Sequence, residues 1–218
     1  MIIRSRKIIK PVGAKFKTLY ADCPWNETGG GVKGGRRGAD RHYPLMKAAE
    51  IAALPVSLVM EENSHCYLWV TNTFLCNGTG FEVMKAWGFT PKTIITWGKV
   101  QANGHPQIGI GQYFRGASEH CIFGVRGCLP YKIDTEGKRC QSTTLLLEPR
   151  TTHSTKPESM IERIEKVSYP NYLELFARDN KQPRKNWTYC GNETSGNDVT
   201  ADLTMLHELG HVIPKDKK

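Results

Sequence analysis

The sequence predicts an α/β protein in which a β-sheet is covered by helices on both faces. Short apolar runs of strand length alternate along the chain with segments of helical periodicity, and this alternation is typical of α/β sheets. The chain has 218 residues, of which 39% are hydrophobic and 23% charged. This is the composition of a globular protein that is long enough to bury a substantial core. We find no internal repeat.

The strand candidates are short segments rich in apolar and β-branched side chains. Residues 16–21 alternate between apolar and polar side chains and end at Asp22, whereas residues 66–71 form a continuous apolar run that suits a buried strand. The further candidates are residues 93–97, 119–125, 143–147, 172–177 and 187–190.

Helical periodicity is clearest in residues 157–168. Pro157 suits the first turn of this helix. Residues 45–54 suit a short helix, and residues 73–88 suit a longer one that two glycines interrupt. The side chains that share one apolar face of the clearest helix are Met160, Ile161, Ile164 and Val167.

The charge balance favours a polyanionic partner. Lys and Arg number 30 against 21 Asp and Glu, which gives a formal charge of +9, and a basic surface attracts nucleic-acid phosphates. The glycine-rich residues 26–42 predict a mobile basic loop that could close over phosphates. A solvated loop with no partner is the alternative. The basic candidates for nucleic-acid contact are Lys33, Arg36, Arg37, Arg41 and Arg115.

The cysteines indicate a reducing compartment. There are seven, an odd number, and no two have the C-x-x-C spacing of a zinc or redox site. The start, MIIRSRKIIK, lacks the apolar core of a signal peptide, and no apolar run approaches membrane-spanning length. We therefore expect a cytoplasmic protein.

The tetrapeptide Asp22-Cys23-Pro24-Trp25 stands where the first predicted strand ends and the glycine-rich loop begins. In open α/β sheets, ligands bind beyond the carboxyl ends of the strands. An indole can stack on a base that has left its helix, and a carboxylate can accept hydrogen bonds from an amine. We interpret the tetrapeptide as a candidate base-binding site. A strand-ending Asp beside a core Trp is the simpler alternative and stays open here.

A second group of candidates lies far downstream. Lys156 opens the clearest helix, where a Lys suits a carboxylate ligand. Glu174 and Arg178 flank the strand LELFAR, and an acidic side chain near a strand end often binds ribose hydroxyls. Asn192 and Glu193 follow the last predicted strand. Solvated charges or surface ion pairs are the alternative for each of these residues.

These segments together resemble the N6-adenine methyltransferases related to the catalytic subunit of the eukaryotic messenger-RNA adenosine methyltransferase, a family with bacterial and phage relatives that act on DNA. The resemblance covers residues 16 to 194, and its pieces come in the family's order. They are ADCPW (21–25), YLWVT (67–71), WGF (87–89) with IITWGKV (94–100), SEHCIFGVRG (118–127), HSTKP (153–157), LELFAR (173–178) and NWTYCGNE (186–193).

The resemblance implies a Rossmann-like fold that uses S-adenosylmethionine, in a permuted order with the catalytic motif before the cofactor motif. It implies an active enzyme that methylates the N6 amine of adenine, with DNA favoured over RNA as the substrate. The compactness of the chain favours a bacterial cell or phage-infected host as its source. Residues 16–194 would form the methyltransferase domain. Residues 1–15 would be an N-terminal extension, and residues 195–218 a C-terminal helix and tail.

The resemblance also implies roles for individual residues. Asp22 and the backbone carbonyl of Cys23 would accept hydrogen bonds from the adenine amine, while Pro24 shapes the turn and Trp25 stacks on the base. The family usually has Pro where this chain has Cys23, which affects the rigidity of the turn. Lys156 would contact the methionine carboxylate. The other implied cofactor contacts are Asp22, Glu174, Phe176, Arg178, Asn180, Asn192 and Glu193.

Three alternatives remain. The chain could be a nucleic-acid-binding subunit without catalysis, or could methylate the exocyclic amine of cytosine. The third is a zinc metalloprotease, because His207-Glu208-Leu209-Gly210-His211 fits the H-E-x-x-H pattern, whose two His would share one helical face. The simpler interpretation of this segment is an exposed C-terminal helix that packs through Leu203, Leu206 and Leu209.

Overall fold

The computed structural model describes residues 13–26, 45–109, 111, 113–150, 155–178 and 183–215. These residues form a seven-stranded sheet. In chain order its strands are β1 (Phe16–Asp22), β2 (Met60–Val70), β3 (Thr90–Lys99), β4 (Ser118–Arg126), β5 (Leu145–Glu148), β6 (Tyr172–Leu175) and β7 (Trp187–Cys190).

The direction of the strands brings the ends of distant segments to one edge. Across the sheet the order is β5-β3-β4-β2-β1-β6-β7. Neighbours pair in parallel except at β4, which lies antiparallel between β2 and β3. The carboxyl ends of the parallel strands and the start of β4 therefore share one edge, which is where open α/β sheets bind ligands.

Helices cover both faces of the sheet, as the sequence predicts. The larger core packs β1, β2 and β6 against helices on one face, and includes Ile51, Met84 and Leu203. The opposite face is covered by a helix that buries Met160, Ile161 and Ile164. The helices are α1 (Ala48–Ala52), α2 (Asn72–Cys76), α3 (Thr79–Ala86), α4 (Glu158–Val167) and α5 (Val199–Leu209), with a 3-10 turn at Val56–Leu58.

Some boundaries differ from the expected ones. The helix expected over 73–88 is two helices, because Gly78 has a φ of 82° and interrupts the helical backbone. The strand expected over 172–177 ends at Leu175, since Phe176 has a φ of 60°, outside the β region. The order of catalytic and cofactor motifs stays a prediction.

The last helix belongs to the main core. Leu203 and Leu206 are 0% and 1% exposed, whereas Leu209 is 52% exposed, so the expectation that Leu209 packs inward is wrong. The backbone N–H of Ala14 donates to the Leu206 carbonyl over 2.9 Å. Both ends of the described chain are therefore tied to the sheet domain, and the division at residue 194 stays a prediction.

The end of α5 removes the geometric basis of the zinc alternative. The helix stops at Leu209, and Gly210 turns the chain with a φ of 82°, so His211 lies beyond the helix and shares no helical face with His207. Among the described residues no group of three or more His, Cys, Asp or Glu is placed to hold a metal ion. None of the helices in the described ranges combines the length and apolar character needed to span a bilayer.

Leu203→Ala is expected to lower the free energy of unfolding by about 2–5 kcal/mol, because it leaves a cavity beneath the sheet. Leu209→Ala, the same truncation on the same helix, should change it by about 0.5 kcal/mol or less. Urea unfolding of the purified proteins measures both. Equal effects of the two substitutions would contradict the packing of α5 described above.

Candidate active site

The site is built around an ion pair between residues 134 positions apart in the chain. Asp22 is the last residue of β1, and Lys156 lies just before α4. The Lys156 ammonium donates to Asp22 Oδ2 over 2.7 Å, with the two side chains 11% and 27% exposed. Both residues are predicted site residues, and the fold brings them into direct contact, which the sequence does not predict.

The ion pair is one link in a chain of alternating charges. Lys156 Nζ is also 3.2 Å from Glu119 Oε2, and Glu119 Oε1 accepts from Lys99 Nζ over 2.5 Å. Glu119 is the second residue of β4 and Lys99 is the last of β3, so the antiparallel pairing of these strands places them together. Neither Glu119 nor Lys99 is among the predicted site residues, although Glu119 is the first residue of the predicted strand 119–125.

The neighbouring charges set the protonation of this cluster. Burial opposes the charge on Lys156, but the carboxylates of Asp22 and Glu119 outweigh burial and raise the pKa of Lys156. Burial also opposes ionisation of Glu119, yet Lys156 and Lys99 hold the pKa of Glu119 below its ordinary value. Lys156 and Glu119 are therefore both charged at neutral pH.

The tetrapeptide after β1 forms a tight turn whose Cys and Trp side chains point into the core. The Cys23 carbonyl accepts from the Trp25 backbone N–H over 2.9 Å, and the Pro24 carbonyl accepts from Met46. Cys23 is 5% exposed, and burial raises the pKa of its thiol. The turn thus presents Asp22 and backbone groups to the edge, while Cys23 fills core volume as a small apolar side chain.

Trp25 is held beneath the turn. It is 7% exposed, its indole N–H donates to the Trp69 carbonyl over 3.0 Å, and its ring stacks on Phe74 with 4.8 Å between centroids. This packing matches the alternative of a strand-ending Asp beside a core Trp. The stacking of Trp25 on a substrate base stays a prediction.

A cavity of about 370 Å³ opens beside Asp22. It collects residues from the ends of β1, β6 and β7, and it is lined by six of the residues that the sequence analysis names. These are Asp22, Pro24, Phe176, Arg178, Asn192 and Glu193. The residues that complete the lining are not predicted from the sequence, and they are Met46, Ala177, Asp198, Val199 and Thr200.

Close approach of two loops shapes one wall of this cavity. The Ala177 N–H donates to the Cys190 carbonyl over 2.9 Å. Gly191 follows with a φ of 146°, and a Cβ there would lie 3.1 Å from the Ala177 nitrogen. A side chain at position 191 would push the loop after β6 away from the loop after β7. Glycine at position 191 therefore allows the loops that carry Phe176 and Asn192 to line the same cavity.

A buried carboxylate of α5 fixes the loop after β7. Asp202 is 0% exposed and accepts from the Gly191 N–H over 2.9 Å, from Ser195 Oγ over 2.7 Å and from Asn197 Nδ2 over 3.0 Å. Such a fully bonded buried carboxylate holds a loop in one arrangement. Asn192 lies within this loop, so the last helix supports one side of the cavity. No motif in the sequence points to Asp202.

The remaining predicted residues are distributed as follows. Glu174 is 4% exposed within the sheet and does not line the cavity, and neither does Lys156. Arg115 lies on an exposed loop and donates to the Gly109 carbonyl. Asn180, Lys33, Arg36, Arg37 and Arg41 lie outside the described residues.

The cavity fits S-adenosylmethionine in size and chemistry. Its volume lies within the range of small-molecule sites, which are apolar pockets with a few placed polar groups. Phe176, Met46 and Val199 supply apolar surface for a purine ring. Asn192 and Glu193 supply oxygens that can accept from ribose hydroxyls.

An α/β sheet with an acidic turn at the end of β1 and such a cavity at the same edge suits an S-adenosylmethionine-dependent methyltransferase, and the family match shows this class. The MT-A70 family model matches residues 16–193, and the chain belongs to this family. Members of the family act on nucleic-acid substrates and use S-adenosylmethionine as methyl donor. No curated protein matches the chain.

Glu119→Gln is expected to lower the free energy of unfolding at neutral pH by about 1–2 kcal/mol, because Lys156 and Lys99 lose a charged acceptor. The folded-state pKa of Glu119 lies below the ordinary 4.5. Its contribution is therefore present above pH 4.5 and is lost as the pH falls through the folded-state value. Urea unfolding across a pH series should show the difference from wild type shrinking on acidification.

Glu136→Gln is the matched control, because the pair between Glu136 and Lys138 has side chains 69% and 74% exposed. Exposed pairs contribute little, so this variant should follow wild type at every pH. A difference for Glu119→Gln that is the same at all pH values would contradict the charge cluster.

Proposed function

We propose that the protein transfers the methyl group of S-adenosylmethionine to the N6 amine of adenine in a nucleic acid, with DNA favoured over RNA as the substrate. The observation that supports this is the Asp22 carboxylate, which is anchored by Lys156 and stands on the rim of the cavity at the end of β1. The family acts on nucleic acids, and a carboxylate acceptor suits an exocyclic amine as substrate.

The cofactor would be held by both sides of the cavity. Phe176, Arg178, Asn192 and Glu193 would contact its adenosine part, and Asn180 its amino-acid end. Lys156 would contact its carboxylate. An ammonium has three donors, and Asp22 and Glu119 engage two of them, so one donor remains for this contact. When bound, S-adenosylmethionine supplies an electrophilic methyl group.

Asp22 would act on the nucleophile. The lone pair of the adenine amine is delocalised into the ring, which makes the amine a weak nucleophile. Hydrogen bonds from the amine to Asp22 and to the Cys23 carbonyl would draw the nitrogen toward tetrahedral geometry and localise that pair. The nitrogen would take the methyl group from the sulfonium, which becomes a neutral thioether, and would carry positive charge until one proton passes to water; the Asp22 carboxylate would stabilise this charge. Holding the amine in line with the methyl group supplies further acceleration.

The ion pair with Lys156 fits this role. It keeps the Asp22 side chain extended toward the edge of the sheet in the absence of substrate. The buried, charged Lys156 also places a positive charge beside Asp22, whose second oxygen faces the edge as a hydrogen-bond acceptor for the amine. Lys156 in this proposal both positions Asp22 and binds the cofactor.

Asp22→Asn is expected to reduce methyl transfer by about 10²–10³-fold, because the amide cannot offset the positive charge that develops on the amine. Transfer of labelled methyl groups to DNA and RNA by the purified protein measures this. Asp134→Asn, the same change in the loop between β4 and β5, is the control and should keep wild-type turnover. Wild-type turnover in Asp22→Asn would refute the assignment.

Glu193→Ala is expected to weaken cofactor binding about tenfold, which corresponds to one lost hydrogen bond to a charged acceptor. Glu193→Gln should lose less, because its amide oxygen still accepts from a hydroxyl. Calorimetry with S-adenosylmethionine measures both dissociation constants. Glu208→Ala on the exposed side of α5 is the control. Equal affinities for all four proteins would place the cofactor elsewhere.

Mass spectrometry of nucleosides identifies the product. After incubation of DNA and of RNA with the protein and the methyl donor, N6-methyladenine is expected in DNA above RNA. N4-methylcytosine would instead identify the cytosine amine as substrate. Binding of cofactor and nucleic acid with no methylated nucleoside would identify a subunit without catalysis.

The free thiols of the buried Cys23, Cys66, Cys121 and Cys190 support the proposed cytoplasmic location.

A further inference from the structure

Two neighbouring aromatic side chains in the loop between β3 and β4 are almost fully exposed to solvent. Tyr113 is 94% exposed and Phe114 is 93% exposed, more than any other large hydrophobic side chain in the described ranges. Single exposed apolar residues are ordinary, whereas adjacent exposed aromatic rings indicate an interaction surface. The pair contributes nothing to the core.

The loop that carries the pair is braced. The Gly109 N–H donates to the Gly116 carbonyl over 2.7 Å, and Arg115 Nε donates to the Gly109 carbonyl over 2.8 Å. A Cβ on Gly111 would lie 2.0 Å from the Phe114 carbonyl oxygen, so the two arms of the loop touch at a residue without a side chain. The rings are therefore displayed at the tip of a closed loop.

The loop stands at the edge of the sheet that holds the candidate active site. It connects the end of β3 to the start of β4. Glu119, three residues after the Gly116 that closes the loop, contacts Lys156, which contacts Asp22. The rings thus project from the segment that leads directly into the charge cluster around Asp22.

The chemistry of the loop matches unpaired nucleotides. Every base offers a π face, and stacking on an aromatic side chain is independent of sequence. A target base that reaches Asp22 has left its stack, which exposes the faces of its neighbours. Arg115 adds a positive charge beside the rings, in a chain with a formal charge of +9.

We propose that Tyr113 and Phe114 stack on nucleotides that flank the target base and so hold an opened or single-stranded nucleic acid at the site. This inference rests on the proposed function, since it takes the target base to lie at Asp22. The two rings supply affinity for the strand, and the groups around Asp22 act on the amine.

The test measures binding of short oligonucleotides with one adenine, prepared as DNA and as RNA, to the full chain. Tyr113→Ala/Phe114→Ala is expected to weaken binding about tenfold or more, with an unchanged dissociation constant for S-adenosylmethionine. The slope of affinity against salt concentration should stay the same, because no phosphate contact is removed. Tyr113→Phe/Phe114→Tyr, which keeps both rings, should retain wild-type affinity.

Oligonucleotides with abasic sites on both sides of the adenine make the test specific. Wild type should bind them about tenfold more weakly than intact strands, whereas the double Ala variant should bind both alike, because the two changes remove the same stacking. Tyr131→Ala/Ile133→Ala is the matched control. These residues are 39% and 56% exposed on the loop after β4, which leaves the opposite edge of the sheet.

Equal affinities of wild type and the double Ala variant would overturn the inference, as would abasic sites that weaken both proteins alike. A change in oligomeric state of the double Ala variant in light scattering would overturn it as well, by identifying the rings as a contact between copies. If wild type transfers methyl groups and the variant binds normally, the inference fails and the proposed function stands. If wild type binds through the rings but transfers nothing, the proposed function fails alone.

Discussion

The arrangement of the site depends on one ion pair, between Asp22 at the end of β1 and Lys156 before α4. Lys156 is almost enclosed, so its charge requires compensation, and Asp22 and Glu119 provide it together. Glu119 in turn is balanced by Lys99. The packing of α4 on one face of the sheet is thereby coupled to the ends of β1 and β3 and to the start of β4. The same contacts hold the Asp22 carboxylate, which is proposed to meet the substrate, in place.

The antiparallel strand β4 makes this cluster possible. In a sheet with only parallel strands, the start of β4 would lie at the edge away from the site. Reversal of β4 between β2 and β3 puts Glu119 beside Lys99 and Lys156 instead. It also places the loop with Tyr113 and Phe114 at the site edge. A single change of strand direction therefore brings the charge cluster and the proposed strand-binding loop to the same place.

The cavity depends on the last helix as much as on the strands. Asp202 of α5 bonds the loop after β7 from beneath, and Gly191 lets that loop approach Ala177. Phe176, with a φ of 60°, turns the end of β6 into the cavity wall. Residues after position 194 therefore help to shape the pocket, since Asp198, Val199 and Thr200 line it.

Local sequence determined the alternation of strands and helices, the turn after β1 and most of the cavity-lining residues, because strand periodicity and short motifs are local properties of the chain. It did not determine the reversal of β4, the contact of Lys156 with Asp22, the burial of Trp25 or the support from Asp202. Each of these results from contacts between segments far apart in the chain. Packing and charge compensation over the whole sheet together decide such contacts, and neither can be read from one short stretch of sequence.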